Sequence, residues 1–265
     1  MSKLLPTLFI SHGSPMFALE PGQAGSALTA LGEKLPHPSA IAVISPHWMT
    51  RGAAVCIANP PETIHDFGGF DPRLYQMQYP AVAGIDAAHS AMKLLANAGY
   101  QPAATEQWGL DHGTWVPLMY LYPKADVPVF QISLPAGMST AQAVAYGQAL
   151  QGLREEGVLI IGSGSLTHNL SEFRGGRDIN AEVQPYVREF AHWVRDAALR
   201  GDADALIHTF ERAPHAKRAH PTDEHYLPLL VALGASGNSQ AQLVDGGVAY
   251  GILSMDSFVF GSAEG

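Results

Sequence analysis

Twelve histidines stand in this 265-residue chain beside only 15 lysines and arginines. Imidazole is the commonest protein ligand for metals, and its unperturbed pKa lets it trade protons near neutral pH. Three of the twelve lie just beyond short apolar runs of the kind a buried strand shows: His12 in LFISHGSP, His47 in AVISPHW and His168 in LIIGSGSLTHN. In an open parallel sheet, ligands bind in the crevice outside the carboxyl ends of the strands, so the three side chains can converge on one pocket. One such histidine would mean little; the repetition is the signal.

Two further histidines sit where a group at the rim of such a pocket would sit. His225, in AHPTDEHYLPLL, follows Thr222, which reads as an N-cap with Asp223 and Glu224 in the first turn. The positive end of a helix disfavours an imidazolium, and metal ligation needs the neutral ring. His112, in WGLDHGTWVPL, lies at a junction between loop and helix. His37, His89, His192, His208 and His215 read as surface or structural residues, and spacing alone leaves His65 and His220 open.

Competing motifs fail. GSGSLT at 162–167 begins like a dinucleotide loop, but Thr167 stands where the third Gly or Ala belongs, and Gly164 occupies the serine position of a nucleophile elbow. The segment from His220 to His225 misses the inverted zinc-protease spacing by one residue, and Cys56 has no neighbouring base. What remains is a histidine-rich metal site.

The elements that must position these side chains alternate. Strands are predicted at 7–10, 41–45, 54–58, 127–134 and 158–162, and helices at 25–35, 85–98, 140–156, 181–200 and 222–233, with a shorter one at 114–122. Pro46 stops the second strand, because proline cannot donate to a continuing ladder. Gly246-Gly247 reads as the turn of a C-terminal hairpin. The expected fold is α/β: a single-domain sandwich over 1–265, with a mostly parallel central sheet, helices on both faces and a C-terminal antiparallel hairpin. The stretch 59–80, rich in Pro, Gly and aromatic residues without periodicity, reads as a long ordered loop, a class that usually serves function.

A formal charge of −9 without a Lys/Arg cluster argues against a nucleic-acid or anionic-membrane surface, so the expected partner is a small molecule. No apolar run is long enough to span a bilayer, and the single cysteine suits a reducing cytoplasm. A monomer or small homo-oligomer is expected.

SHGSP at 11–15, SPHW at 45–48, IHDFGGF at 64–70 with YP at 79–80, DHGTW at 111–115, THNL at 167–170 and HPTDEHYLPLL at 220–230 occur in that order. Together they resemble the DODA-type extradiol aromatic ring-opening dioxygenases, the 4,5-DOPA dioxygenase branch of the class III, LigB-like enzymes. The resemblance implies a mononuclear non-haem metal, Fe(II) for ring opening with Zn(II) as an occupant in some members. It implies His12, His47 and His225 as ligands, His168 as a fourth ligand or catalytic acid/base, and His112 as a catalytic group that contacts substrate or dioxygen. The implied reaction is cleavage of a DOPA-like catechol by O2 to a ring-opened semialdehyde.

In the wider class III group a glutamate holds the place of His225, a departure from the two-histidine, one-carboxylate set usual for oxygen-activating iron. Glu224 is adjacent, but consecutive residues on a helix point about 100° apart, so the two are not expected to ligate together. A neutral histidine set favours zinc more than a carboxylate set does. Trp48, Phe67, Phe70, Tyr75 and Trp115 are candidate aromatic walls for a catechol, and His65, Arg73 and Tyr226 candidates to meet its side chain. A zinc-dependent hydrolase and a non-catalytic metal-binding protein on the same scaffold are the alternatives.

Overall fold

A computed structural model describes residues 4–173 and 178–261. In chain order its strands are β1 (Thr7–Ser11), β2 (Ala40–Thr50), β3 (Ala54–Cys56), β4 (Ala103–Thr105), β5 (Val129–Pro135), β6 (Val158–Gly164), β7 (Ala241–Val244), β8 (Val248–Ala249), β9 (Leu253–Ser254) and β10 (Ser257–Phe260). Eight of them form one sheet in the order β4-β3-β5-β2-β6-β1-β10-β7. The centre, β5-β2-β6-β1, is parallel. β10 and β7 extend it antiparallel at one side, and β3 pairs antiparallel with β5 at the other. Every residue of β1 and β6 is buried, which is why these strands read as continuous apolar runs without alternation.

The helices are α1 (Gly22–Gly32), α2 (Ile85–Asn97), α3 (His112–Leu121), α4 (Thr140–Leu150), α5 (Pro185–Arg200), three short pieces α6 (Ala203–Ile207), α7 (Thr209–Arg212) and α8 (Ala216–Ala219), and α9 (Leu227–Ala235). Successive residues of β6 locate the two helical layers. A Cβ on Gly162 would meet the Pro228 carbonyl of α9 at 2.0 Å, while Ser163 donates a hydrogen bond to the Gly113 carbonyl of α3. Neighbouring strand residues point to opposite faces, so α9 and α3 cover opposite sides of the sheet. The glycine of the failed dinucleotide motif therefore has a packing role: it lets α9, buried at every residue, lie against the strand.

The fold class stands as expected, with differences that bear on the site. β2 does not stop at Pro46 but continues to Thr50, and its pairing with β5 jumps from Ser45↔Ser133 to Met49↔Leu134. Pro46, His47 and Trp48 thus form an irregular bulge on a continuing strand, and bulges re-aim side chains. The helix predicted at 222–233 begins at Leu227, with Pro228 in its first turn, so His225 lies in the turn before it and not on it. The helix predicted from 181 begins at Pro185. The C-terminal ribbon pairs β8 with β9 across Tyr250-Gly251, not across Gly246-Gly247. Among the described residues, no helix is long and apolar enough to cross a membrane.

Candidate metal centre and active site

His12 follows the last residue of β1 directly, and its backbone N–H bonds the Gly164 carbonyl at the end of β6. Its Nδ1 lies 2.9 Å from Ser163 Oγ. The Ser163 hydroxyl spends its proton on the Gly113 carbonyl, so towards His12 it accepts. Nδ1 of His12 therefore carries the ring proton and Nε2 is left with its lone pair. Gly113 keeps this contact free: a Cβ there would stand 2.6 Å from Ser45 Oγ and 3.2 Å from His12 Nδ1, so these side chains would have to shift.

His47 approaches from the bulge with its Nε2 3.1 Å from Nε2 of His12 and its Nδ1 3.4 Å from Asp66 Oδ2. Asp66 also accepts from the backbone N–H of His112 through Oδ1, at 2.8 Å, and from Nδ1 of the same residue through Oδ2, at 2.9 Å. Burial raises the Asp66 pKa, but the hydrogen bonds and charge of His112 outweigh it and the net shift is downward. An ionised carboxylate beside Nδ1 of His47 favours the proton on that nitrogen. The Nε2 lone pairs of His12 and His47 then face each other, a repulsive arrangement that a shared cation relieves; metal–nitrogen bonds of about 2.0–2.1 Å make 3.1 Å a fitting separation.

His225 completes this group from the other side, its ring centre 5.5 Å from that of His12 and 5.2 Å from that of His47. Its Nδ1 donates to Glu224 Oε1 at 3.2 Å, while its Nε2 is buried without a hydrogen-bond partner among the described residues. A buried imidazole nitrogen left bare in this way is what a metal ligand looks like before its ion is considered. The bond from His225 holds the Glu224 carboxyl at about 2, so the carboxylate is a standing acceptor. Burial and the neighbouring histidines push His12 far down and His47 to about 2, and burial lowers His225 against the pull of Glu224. The rings are neutral, as metal binding requires.

The other two histidines border the group differently. His112 is the first residue of α3; its ring lies 4.0 Å from that of His47, and one nitrogen from each of His12, His47 and His112 falls within 4.8 Å of the others. His168 stacks flat on His225, with ring centres 3.5 Å apart and planes within 9°. Burial and His225 lower its pKa to about 3.

These five histidines come together; several proposed substrate contacts do not. A cavity of about 260 Å³ opens over His47, His112, His168 and His225, walled by Pro15, Phe67, Phe70, Leu170, Phe173 and Leu253. Of the candidate contacts, Phe70 is on this wall. Trp48 instead stacks on Trp108, 5.5 Å away, in a satellite cluster with Ala54 and Cys56. Tyr226 is fully buried, with its hydroxyl on Thr209 and Leu206, because it enters α9 from the core side. His65 stands behind Phe67 and bonds the Met77 carbonyl. Arg73 is exposed and paired with Asp71, and Trp115 is buried with its indole N–H on the Ile64 carbonyl.

Residues 6–261 match the family described as the catalytic LigB subunit of aromatic ring-opening dioxygenase. The chain belongs to that family. Among its relatives are proteins named 4,5-DOPA dioxygenase extradiol from Beta vulgaris, 41% identical over 97% of this chain and 96% of the relative, and from Escherichia coli K12, 37% identical over 98% and 96%. A third of that name, from Portulaca grandiflora, is 36% identical over 97% and 96%. A crystal structure of an uncharacterized protein from Escherichia coli K12 superposes with a TM-score of 0.79 at 33% identity, covering 97% of this chain and all of that one.

The LigB-type site contains groups that sequence reasoning passed over. Ser163, Asp66 and Glu224 each hold Nδ1 of a histidine and so settle which nitrogen it presents. Asp66 was visible inside IHDFGGF in the loop at 59–80, and its carboxyl was the signal available. Ser163 carried none, because its role depends on α3 and β1 meeting over β6. Glu224 was discounted on a helical geometry that does not exist at 222–226, where the chain turns before α9 begins.

Proposed function

We propose that this chain opens the ring of a catechol by extradiol cleavage, incorporating both atoms of O2 to give a ring-opened semialdehyde. The bare, buried Nε2 of His225, on a ring whose centre lies 5.5 Å from that of His12 and 5.2 Å from that of His47, carries the reading. These three would hold the metal. Divalent iron there would supply the one-electron chemistry by which triplet O2 reacts with a bound catecholate, whereas zinc would fill the same nitrogen set without it.

The chain's own residues do the rest. The cavity walls supplied by Phe67, Phe70, Leu170 and Phe173 take the flat ring and exclude water from its faces. His112, with Nδ1 committed to Asp66, has Nε2 free to accept a proton from a catechol hydroxyl. His168 is better placed as the second acid/base than as a fourth ligand: although one of its nitrogens lies within 4.8 Å of ligand atoms of His225 and Glu224, its ring is stacked flat on His225, and parallel rings 3.5 Å apart do not both aim in-plane lone pairs at one ion between them. DOPA, which appears in the names of the relatives, is the first substrate to test. Catalysis by this one domain in a reducing cytoplasm, where buried Cys56 stays a thiol, belongs to the same reading.

The test is anaerobic reconstitution with Fe(II), followed by air and a panel of catechols including DOPA. Oxygen uptake with a new near-visible absorbance is the expected result. No uptake from any catechol at full iron occupancy overturns the proposal. Activity restored by zinc and indifferent to oxygen would point to the hydrolase instead, zinc being the ion that an all-histidine set favours.

A further inference from the structure

Asp66 receives two hydrogen bonds from His112 and faces a ring nitrogen of His47. The backbone N–H of His112 meets Oδ1 at 2.8 Å, Nδ1 of His112 meets Oδ2 at 2.9 Å, and Nδ1 of His47 lies 3.4 Å from the same Oδ2. The carboxylate is delivered by the loop at 59–80, which is fixed in place: Ile64 N–H bonds the Leu110 carbonyl, Leu110 N–H bonds Glu62, and the Trp115 indole bonds the Ile64 carbonyl. It also sits at the N-terminal end of α3, where exposed N–H groups favour an anion. One side chain therefore touches a residue assigned to the metal and a residue assigned to proton transfer, from behind both.

We propose that Asp66 is the positioning residue that makes His112 a base at Nε2 and turns Nε2 of His47 toward His12. This deepens the ring-cleavage reading and rests on it for the role of His112. A carboxylate only accepts, so any ring nitrogen held against it must carry the proton, and the opposite nitrogen must be bare. In His112 the bare nitrogen belongs to a residue lining the cavity; in His47 it is the one 3.1 Å from His12.

Asparagine in place of Asp66 keeps the shape and removes this constraint. Its single carbonyl oxygen can satisfy the backbone N–H of His112 or the ring Nδ1–H, but not both at their two separate positions. With the oxygen on the backbone donor, the amide NH2 faces Nδ1, which must then accept, and the ring proton moves to Nε2. His112 would present a donor to the catechol where it now presents an acceptor. The atoms barely move, yet the base is lost.

The experiment reads the tautomer directly. In the full chain loaded with diamagnetic Zn(II), two-bond 15N–1H correlation spectra distinguish Nδ1–H from Nε2–H histidine rings, and loss of one ring's signals in His112→Gln assigns His112. The expected result is Nδ1–H in the wild type and Nε2–H in Asp66→Asn. With iron, kcat of Asp66→Asn for a catechol should fall by roughly 10²-fold or more with KM little changed, since a positioned base contributes about 10²–10⁴-fold. An Nε2–H ring for His112 in the wild type overturns the proposal by itself, whether or not the variant folds. An unchanged Nδ1–H tautomer in Asp66→Asn also overturns it, because a merely structural Asp66 would lower stability and leave the proton where it was. If no catechol is opened, the spectra still decide the role of Asp66 while the functional reading fails separately.

Discussion

The two sides of the site are built on different principles. His12, His47 and His112 stand on the ends or bulges of regular elements, and each has its Nδ1 held or faced by a side-chain oxygen from elsewhere in the chain, Ser163 or Asp66. His168 and His225 come from irregular segments: His168 N–H bonds the Ala219 carbonyl and Ser165 N–H the His225 carbonyl, and the one side-chain hold is Glu224 Oε1 on Nδ1 of His225. The first side fixes which nitrogen faces inward; the second fixes where a stacked pair of rings lies. A metal ligand and a base both need the first kind of certainty, and on the second side Glu224 supplies it to His225 alone.

The largest effects are expected from the stacked pair, with one ring removed at a time. His225→Ala should lose metal beyond the roughly 10–100-fold that loss of a ligand's hydrogen-bond partner costs, and oxygen uptake with it. His168→Ala should keep the metal while turnover falls by about 10²–10⁴-fold. Metal content by elemental analysis, read beside oxygen uptake, separates the two. Equal loss of metal in both would place His168 among the ligands.

On the strand-borne side the corresponding break is Gly113→Ala. The added methyl carbon would press Ser45 and the protonated nitrogen of His12 without touching the cavity. Metal affinity should fall by about 10–100-fold with the fold retained, measured by competition against a chelator and by far-ultraviolet circular dichroism. Unchanged affinity would mean that α3 can give way there.

Acid acts on buried rings of both sides. His47 is held at about 2, His168 at about 3 and His220 at about 4, each by burial first. All are depressed below the usual histidine value near 6.5. As the pH falls through 6.5, the unfolded chain takes up protons that the folded chain refuses, so stability is steady above that point and declines below it. The slope is about 1.4 kcal/mol per pH unit for each such ring. Urea midpoints of the metal-free chain should drop steadily from pH 7 to 5, and bound metal should delay the drop. A flat profile would show that these rings protonate without unfolding.

How far the site was legible follows the same division. His12 and His168 could be placed from apolar runs followed by a histidine, because buried parallel strands announce themselves and their ends are where such sheets bind ligands. His47 reads as a strand-end residue, but the strand goes on past Pro46 and a bulge does the aiming. The Asp66 carboxylate and the Ser163 hydroxyl belong to pairings across 46 and 151 residues, which no local pattern encodes. The substrate walls fared worst. Aromatic residues near a motif are alike in sequence, and only packing separates Phe70, on the cavity, from Trp48 and Tyr226, which face other partners.

Tyr226 gives the smallest effect and the cleanest control. It is the immediate neighbour of His225, yet its ring points into a cage with Phe190, Phe210 and His220, and its hydroxyl lies 2.6 Å from Thr209 Oγ1 and 3.2 Å from the Leu206 carbonyl. Tyr226→Phe removes one buried hydroxyl and leaves Thr209 with its other bond to Leu206. The expected loss is about 1 kcal/mol of stability, roughly 2–4 °C in Tm for a chain of this size. Metal content and turnover should not change, because nothing on the cavity side of His225 moves. A fall in KM or kcat out of proportion to the stability loss would show that the wall behind the stacked histidines is felt through them, and that the loop-borne side is less independent of the core than its backbone ties imply.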